Sequence, residues 1–164
     1  MVHAKELKRT TNTGRLAVEA LPNSEMKVRG LIDSPIDLSL ALHESYHSLL
    51  LFPSEDAVEL TTEFVQTIKR PVLLIVPDGN WRQACKVHHR HVEFKNIQCV
   101  FINKKNTSTD FLRKETKDNG MATLEAIAYA LGVIEGEKIR TSLLQLYQIK
   151  LKQTLKGRGQ DAKT

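Results

Sequence analysis

Cysteine is nearly absent from this chain: Cys85 and Cys99 are the only two among 164 residues. Two thiols support neither a disulfide framework nor, by themselves, a zinc site, so both are expected to be reduced and semi-buried. Long apolar runs are missing too, and none approaches the roughly 20 residues of a membrane-spanning helix. The opening stretch, MVHAKELKR, is polar and lacks the apolar core of a signal peptide. The expectation is therefore a cytoplasmic protein with no membrane partner. The sequence contains no GxGxxG, Walker A, GxSxG or paired CxxC pattern. Those absences remove motif-based readings as a dinucleotide-binding protein, P-loop enzyme, serine hydrolase or zinc ribbon. Aromatic residues are scarce at 5%, with Trp81 the single tryptophan.

What is present is an ordinary globular composition, 41% hydrophobic and 26% charged. The length suits one domain with a real core. The net charge is +5, and its distribution says more than its total. Residues 16–80 carry four basic and ten acidic side chains, whereas residues 81–117 carry nine basic and three acidic. The stretch 150–164 adds five basic residues and one acid. An acidic first half followed by a basic stretch and tail points to a polyanionic partner such as nucleic acid.

Apolar spacing predicts a short helix over residues 14–21 and a strand near 26–31. Helical spacing recurs over 35–47, and Leu49, Leu50, Leu51 and Phe52 read as a buried strand ended by Pro53. Ser54 is a suitable N-cap for a helix over 55–68. Residues 72–76 are apolar on both faces and read as a central parallel strand. A helix over 81–91, a strand over 98–102, a polar basic loop over 103–120 and a helix over 121–131 follow, with Gly132 and Gly136 as punctuation. A last helix is expected over 137–155 and a basic, disordered tail over 156–164. The succession implies a single α/β domain, residues 1–155, with a mostly parallel sheet. Its ligand site is expected beyond the carboxyl ends of the strands, at 52–55 and 77–81.

Two histidine patterns compete for attention. His43-Glu44-Ser45-Tyr46-His47 fits HExxH, but that chemistry needs a continuing helix and a third ligand. A strand at 49–52 stops any such helix, and His88, His89 and His91 lie on another element. Those three histidines, within four residues, cannot share one helix face. No metal site is expected. Asp78-Gly79-Asn80-Trp81-Arg82 carries more: an acid ends an apolar strand, and the only tryptophan opens the next helix. Asp78 as helix cap with Trp81 as core filler is one reading. Asp78 as proton acceptor with Trp81 as a stacking platform is the other. The residues alone leave both open.

The run Asp78-Gly79-Asn80-Trp81-Arg82-Gln83-Ala84-Cys85-Lys86 resembles the signature of the DTW-domain family, Asp-x-Thr-Trp followed by a basic helix. Asn80 stands where the family has Thr. His3, Glu6, Arg9 and Thr11-Asn12-Thr13-Gly14-Arg15-Leu16 resemble the family's opening block. Phe52-Pro53-Ser54-Glu55 and Arg113 with Thr123-Leu124-Glu125-Ala126 resemble two more, in the family's order. The likeness is to a short form without the cysteine-rich segment that usually precedes the His-x-x-Glu block, so metal binding is not carried over.

The resemblance implies a SPOUT-like knotted fold and S-adenosylmethionine as cofactor. The implied activity is transfer of the 3-amino-3-carboxypropyl group to a tRNA uridine, releasing 5′-methylthioadenosine. It makes Asp78 the catalytic candidate. Thr13, Phe52, Pro53, Ser54, Glu55, Asp78, Gly79, Trp81, Thr123, Leu124 and Glu125 become the cofactor-binding set. Arg9, Arg15, Arg82, Lys86 and Arg113 are expected to meet RNA. The rivals are methyl transfer from the same cofactor and a non-catalytic RNA-binding protein.

Overall fold

A computed structural model describes residues 1–103 and 121–157, apart from Lys8, Thr10, Thr11, Ile32 and Asn80; the side chains of Trp81, His88, His89, Arg90 and Val92 are also not described. Six strands and five α-helices follow one another along these residues: β1 (Val2–His3), α1 (Gly14–Ala20), β2 (Val28–Arg29), β3 (His47–Leu51), β4 (Val58–Glu59), α2 (Thr62–Gln66), β5 (Val72–Ile75), α3 (Trp81–Arg90), β6 (Gln98–Phe101), α4 (Thr123–Ile134) and α5 (Glu137–Lys156). The main sheet has the order β4-β6-β3-β5 and is parallel throughout. A small parallel pair, β1 and β2, lies beside it. The α/β reading with a mostly parallel sheet holds.

The sheet is buried on both faces, and alternation along β3 sorts its residues between two cores. Leu50 faces one side with Ile75, Val87, Phe94 and Cys99, beneath α3. Leu49 faces the other with Leu60, Val100 and Ala130, beneath α2 and α4. A third core lies behind α4, where Leu143, Tyr147, Leu151 and Leu155 form an i, i+4 stripe on α5 against Leu124, Ala128 and Ala17. Both cysteines are free, Cys85 half-buried and Cys99 buried, as their scarcity implied.

Several sequence expectations are corrected. β5 is an edge of the four-stranded sheet, not its centre; β3 and β6 hold the middle. Its apolar residues answer to helices on both faces, and a two-faced pattern reports covering layers rather than strand order. Just beyond the end of β5 the first residues of the chain bond to its backbone: Met1 nitrogen donates to the Val76 carbonyl at 2.7 Å, Asp78 nitrogen donates to the Met1 carbonyl at 2.7 Å, and Val2 bridges Asp78 in parallel.

The helix expected over 55–68 begins only at Thr62, capped by Thr61, whose hydroxyl accepts from the Phe64 amide at 3.2 Å. Ser54 caps nothing there; its hydroxyl donates to Asp56 Oδ1 at 2.7 Å. Val58–Glu59 is extended because it pairs with the free side of β6, and ladder bonds outweigh a weak local helix preference. The helix expected over 35–47 reduces to one 3-10 turn, Leu40–Leu42. Leu40 and Leu42 are exposed while Leu38 and Ala41 pack inward, so no long apolar face exists. His47 opens β3, which removes the continuous helix that HExxH chemistry requires.

Gly132 lies inside α4, where the side chain of Arg140 crosses it, and of the two glycines Gly136 alone falls, with Glu135, between the last two helices. Lys156 closes α5 rather than opening a tail, and residues 158–164 lie outside the described residues. The loop expected over 103–120 lies outside them from residue 104 onward. Among the described residues no helix is long and apolar enough to cross a membrane.

Candidate active site

β3 and β5 are paired neighbours, with Leu50 opposite Ile75, so their carboxyl ends leave the sheet side by side. The end of β5 delivers Asp78, whose side chain is buried at 8% exposure. Its Oδ1 accepts a 2.6 Å hydrogen bond from Thr123 Oγ1, on the first residue of α4. Its Oδ2 is buried and, among the described residues, has no hydrogen-bond partner. The carboxylate is directed at α4, so Asp78 is not simply the cap of α3.

Gly14, the first residue of α1, faces the same carboxylate. A Cβ at this position would lie 2.8 Å from Asp78 Oδ2 and 3.1 Å from Asp78 Cγ. The approach leaves no room for a side chain. Asn12 places this helix start: its Oδ1 accepts from the Gly14 amide at 2.9 Å and from the Arg15 amide at 3.3 Å. Thr13 then ties α1 to α4, for its Oγ1 accepts from the Leu124 amide at 3.1 Å. The residue preceding α4, Ala122, has no side-chain cap to offer. A buried threonine more than a hundred positions earlier in the chain supplies it, satisfying an amide the helix leaves open. Asp78 thus lies between two helix starts, where backbone amides favour negative charge.

A buried carboxylate oxygen without a hydrogen bond costs on the order of 1–3 kcal/mol. The buried amino terminus of Met1, whose nitrogen donates to the Val76 carbonyl, is in its protonated form a cation within electrostatic reach of this carboxylate.

The remaining expected site residues are distributed less evenly. Leu124 is fully buried in the α1–α4–α5 core and Glu125 is buried beside it in sequence. Phe52 is packed into the core beneath α3 with Val87 and Phe94, while Pro53 and Glu55 are exposed and Ser54 is half-buried. Gly79 follows Asp78 at φ +147°, a conformation open chiefly to glycine. Trp81 opens α3. Arg82 and Lys86 are exposed on this helix one turn apart. Arg15 is mostly exposed and pairs with Glu19 at 2.8 Å, and Arg9 reaches the buried Glu6 carboxylate at 3.4 Å. Arg113 lies outside the described residues.

Asn12, Gly14, Glu6 and Gln83 lie in the family blocks read from the sequence but were not among the expected site residues; here Asn12 and Gly14 border the Asp78 carboxylate and Glu6 meets Gln83. An Asn two residues before a helix-starting Gly is a local capping signal. Nothing local marks Gln83. His3 lies near this region, and burial, then Arg29, Lys5 and Lys86, hold its imidazole below the usual histidine range against the opposing pull of Glu6.

Thr13→Val keeps the shape of a 3% exposed residue and removes the acceptor for Leu124. The expected loss of folding stability is about 1–2 kcal/mol, measured by urea unfolding. An unchanged midpoint would show that the hydroxyl contributes nothing to α4.

The DTW-domain family model matches residues 1–155, so the chain belongs to the DTW-domain family, as its motifs indicated. Three curated relatives carry the name tRNA-uridine aminocarboxypropyltransferase 2. The protein of Macaca fascicularis is 26% identical over 151 residues, 89% of this chain and 50% of that protein. That of Mus musculus is 25% identical over the same length and the same shares. That of Drosophila melanogaster is 29% identical over 103 residues, 62% of this chain and 40% of that protein. The chain thus spans half or less of the length of the curated relatives it matches. No solved structure matches it.

Proposed function

We propose that this chain transfers the 3-amino-3-carboxypropyl group of S-adenosylmethionine to a uridine of tRNA, with release of 5′-methylthioadenosine. The observation that carries the proposal is the buried Oδ2 of Asp78 at a strand end, without a hydrogen-bond partner among the described residues, in a chain of the DTW-domain family. The names of the relatives supply the substrate class. The site suits the cofactor chemically in one respect: the Asp78 carboxylate would favour a cationic molecule. Thr13, Asp78, Gly79, Trp81 and Thr123–Glu125 would hold it, with Phe52–Glu55 at the neighbouring strand end. When bound, S-adenosylmethionine supplies a carbon made electrophilic by its sulfonium.

The chain's own residues do the rest. The uracil imide nitrogen must lose a proton to become a nucleophile, and Asp78 Oδ2 is the group free to take or orient it. Thr123, donating to Oδ1, fixes the carboxylate so that Oδ2 presents in one direction. A strand-end pocket demands an unstacked base. Exposed Arg82 and Lys86, on the helix that starts beside Asp78, are placed to meet phosphates. The SPOUT-like knot belongs to the same proposal; the all-parallel sheet followed by α4 and α5 supports it. With tRNA as substrate, the expected place of action is the cytoplasm.

Mass spectrometry of tRNA incubated with the protein and S-adenosylmethionine tests the proposal. A gain of one aminocarboxypropyl group is expected. A methyl gain would replace the reading with methyl transfer, and an unchanged mass would leave an RNA-binding protein. The expected tRNA affinity falls on the order of tenfold between 50 and 200 mM salt, as counterion release from a few phosphate contacts requires. An affinity flat across that range, measured by filter binding, would contradict a phosphate-led interface.

A further inference from the structure

The turn that carries Asp78 has little stiffness of its own. Gly79 follows it at φ +147°, without a side chain to anchor the backbone. Met1 and Val2 bond the backbone up to Asp78, and the side chain packed on Gly79 itself is Gln83, in the first turn of α3. The Gln83 side chain closes over Gly79 so tightly that a Cβ there would lie 3.1 Å from Gln83 Cβ and closer still to Oε1. Gln83 is itself held at both ends. Its carbonyl accepts from Arg29 Nη2 at 2.7 Å, and its Nε2 donates to Glu6 Oε1 at 3.3 Å.

Glu6 is 1% exposed, one of the most deeply buried side chains in the protein. It reaches the Asp78 pocket by two routes. Through its carboxylate it orients Gln83 over Gly79, on one side of Asp78. Through its carbonyl it accepts from Asn12 Nδ2 at 3.4 Å, and Asn12 Oδ1 in turn takes the Gly14 amide, on the other side. A buried carboxylate is a poor device for stability alone, since apolar residues of equal volume do as well or better. Its value here is directional: it fixes an amide that fixes a glycine turn.

We propose that Glu6 and Gln83 are positioning residues for the transfer reaction, setting the Asp78 carboxylate by clamping the Gly79 turn. In this role they act through Asp78 rather than by touching cofactor or RNA. The proposal rests on the reading that Asp78 acts in the transfer. A displacement of about 1 Å at a reacting group lowers rate on the order of 10²-fold, so loosening this clamp acts on turnover before it acts on affinity.

The test uses the full chain. Gln83→Met keeps length and volume and removes the amide, and Glu6→Ala removes the acceptor. Each is expected to lower kcat about tenfold or more, with KM for S-adenosylmethionine within about threefold of the parent protein. Glu6→Gln, which retains a carbonyl oxygen for the Gln83 amide, is expected to recover kcat to within about threefold. The double variant Glu6→Ala/Gln83→Met is expected to be no slower than the slower single variant, because both break one link. Backbone amide exchange at Gly79 is expected to quicken in Gln83→Met and Glu6→Ala, a readout independent of any activity.

Should the parent protein transfer nothing to tRNA, the functional reading falls and Gly79 exchange alone decides whether the clamp exists. If Glu6→Ala does not fold, Gln83→Met, at a half-buried position, carries the decision. Parental kcat and Gly79 exchange in Gln83→Met overturn the proposal. So do multiplicative losses in the double variant, or a loss of kcat without faster exchange at Gly79.

Discussion

Asp78→Asn is expected to slow aminocarboxypropyl transfer by about 10²-fold or more at saturating cofactor, with the thermal midpoint and tRNA affinity nearly unchanged. The substitution keeps the shape of the side chain and keeps an oxygen for the 2.6 Å hydrogen bond from Thr123. At the Oδ2 position, which lacks a partner among the described residues, it removes the charge and the basicity and replaces an acceptor oxygen with an NH2 donor. If Asp78 serves to brace α4 through Thr123, asparagine does this almost as well and activity survives. If it accepts the uracil proton, asparagine cannot. Single-turnover transfer beside thermal melting separates the two, and near-normal transfer by a well-folded Asp78→Asn protein would remove Asp78 from the mechanism.

Gly14→Ala is expected to lower folding stability by about 1–3 kcal/mol and cofactor affinity by roughly tenfold or more. Its sign is the informative part. Gly14 begins α1 without a positive φ, and at an unobstructed helical site alanine stabilises relative to glycine by about 0.5–1 kcal/mol. The obstruction reverses that. The new methyl meets Asp78 Oδ2 at 2.8 Å and Cγ at 3.1 Å, against a carboxylate that Thr123 already holds. Either Asp78 rotates out of its bond or α1 backs away from α4, dragging the Thr13–Leu124 contact with it. Shortening the opposing side chain in Gly14→Ala/Asp78→Ala should restore stability above that of Gly14→Ala. A higher thermal midpoint for Gly14→Ala than for the parent protein would show that Gly14 is not there for Asp78.

Much of the fold was legible because it is written locally. Helix α1, expected over 14–21, runs over Gly14–Ala20, and α3, α4, β3 and β6 lie within a few residues of their expected bounds. Asp78 stood out because a carboxylate ended an apolar strand before a Gly. Segments 35–47 and 55–61 were misread for one reason. Their apolar residues fit a helical period, but the edge of β6 takes Val58–Glu59 as a strand, and the sheet needs His47 extended. Pairing partners far along the chain decide such cases, and a window of one segment does not contain them.

By itself the sequence determined the α/β class, the family motifs and the placing of an acid at a strand end, since each depends on residue type and short-range spacing. Only the tertiary structure decided that β5 is an edge strand, with residues 1 and 2 bonded to the chain just beyond its end, because two-faced burial looks the same at an edge and at the centre once helices cover both faces. It alone brought Thr13 to the start of α4, Gly14 against Asp78, and Glu6 to Gln83 over Gly79. Those contacts join residues tens to more than a hundred positions apart, and hydrogen bonds and close packing act through distances of a few ångströms, which the chain acquires only when it folds.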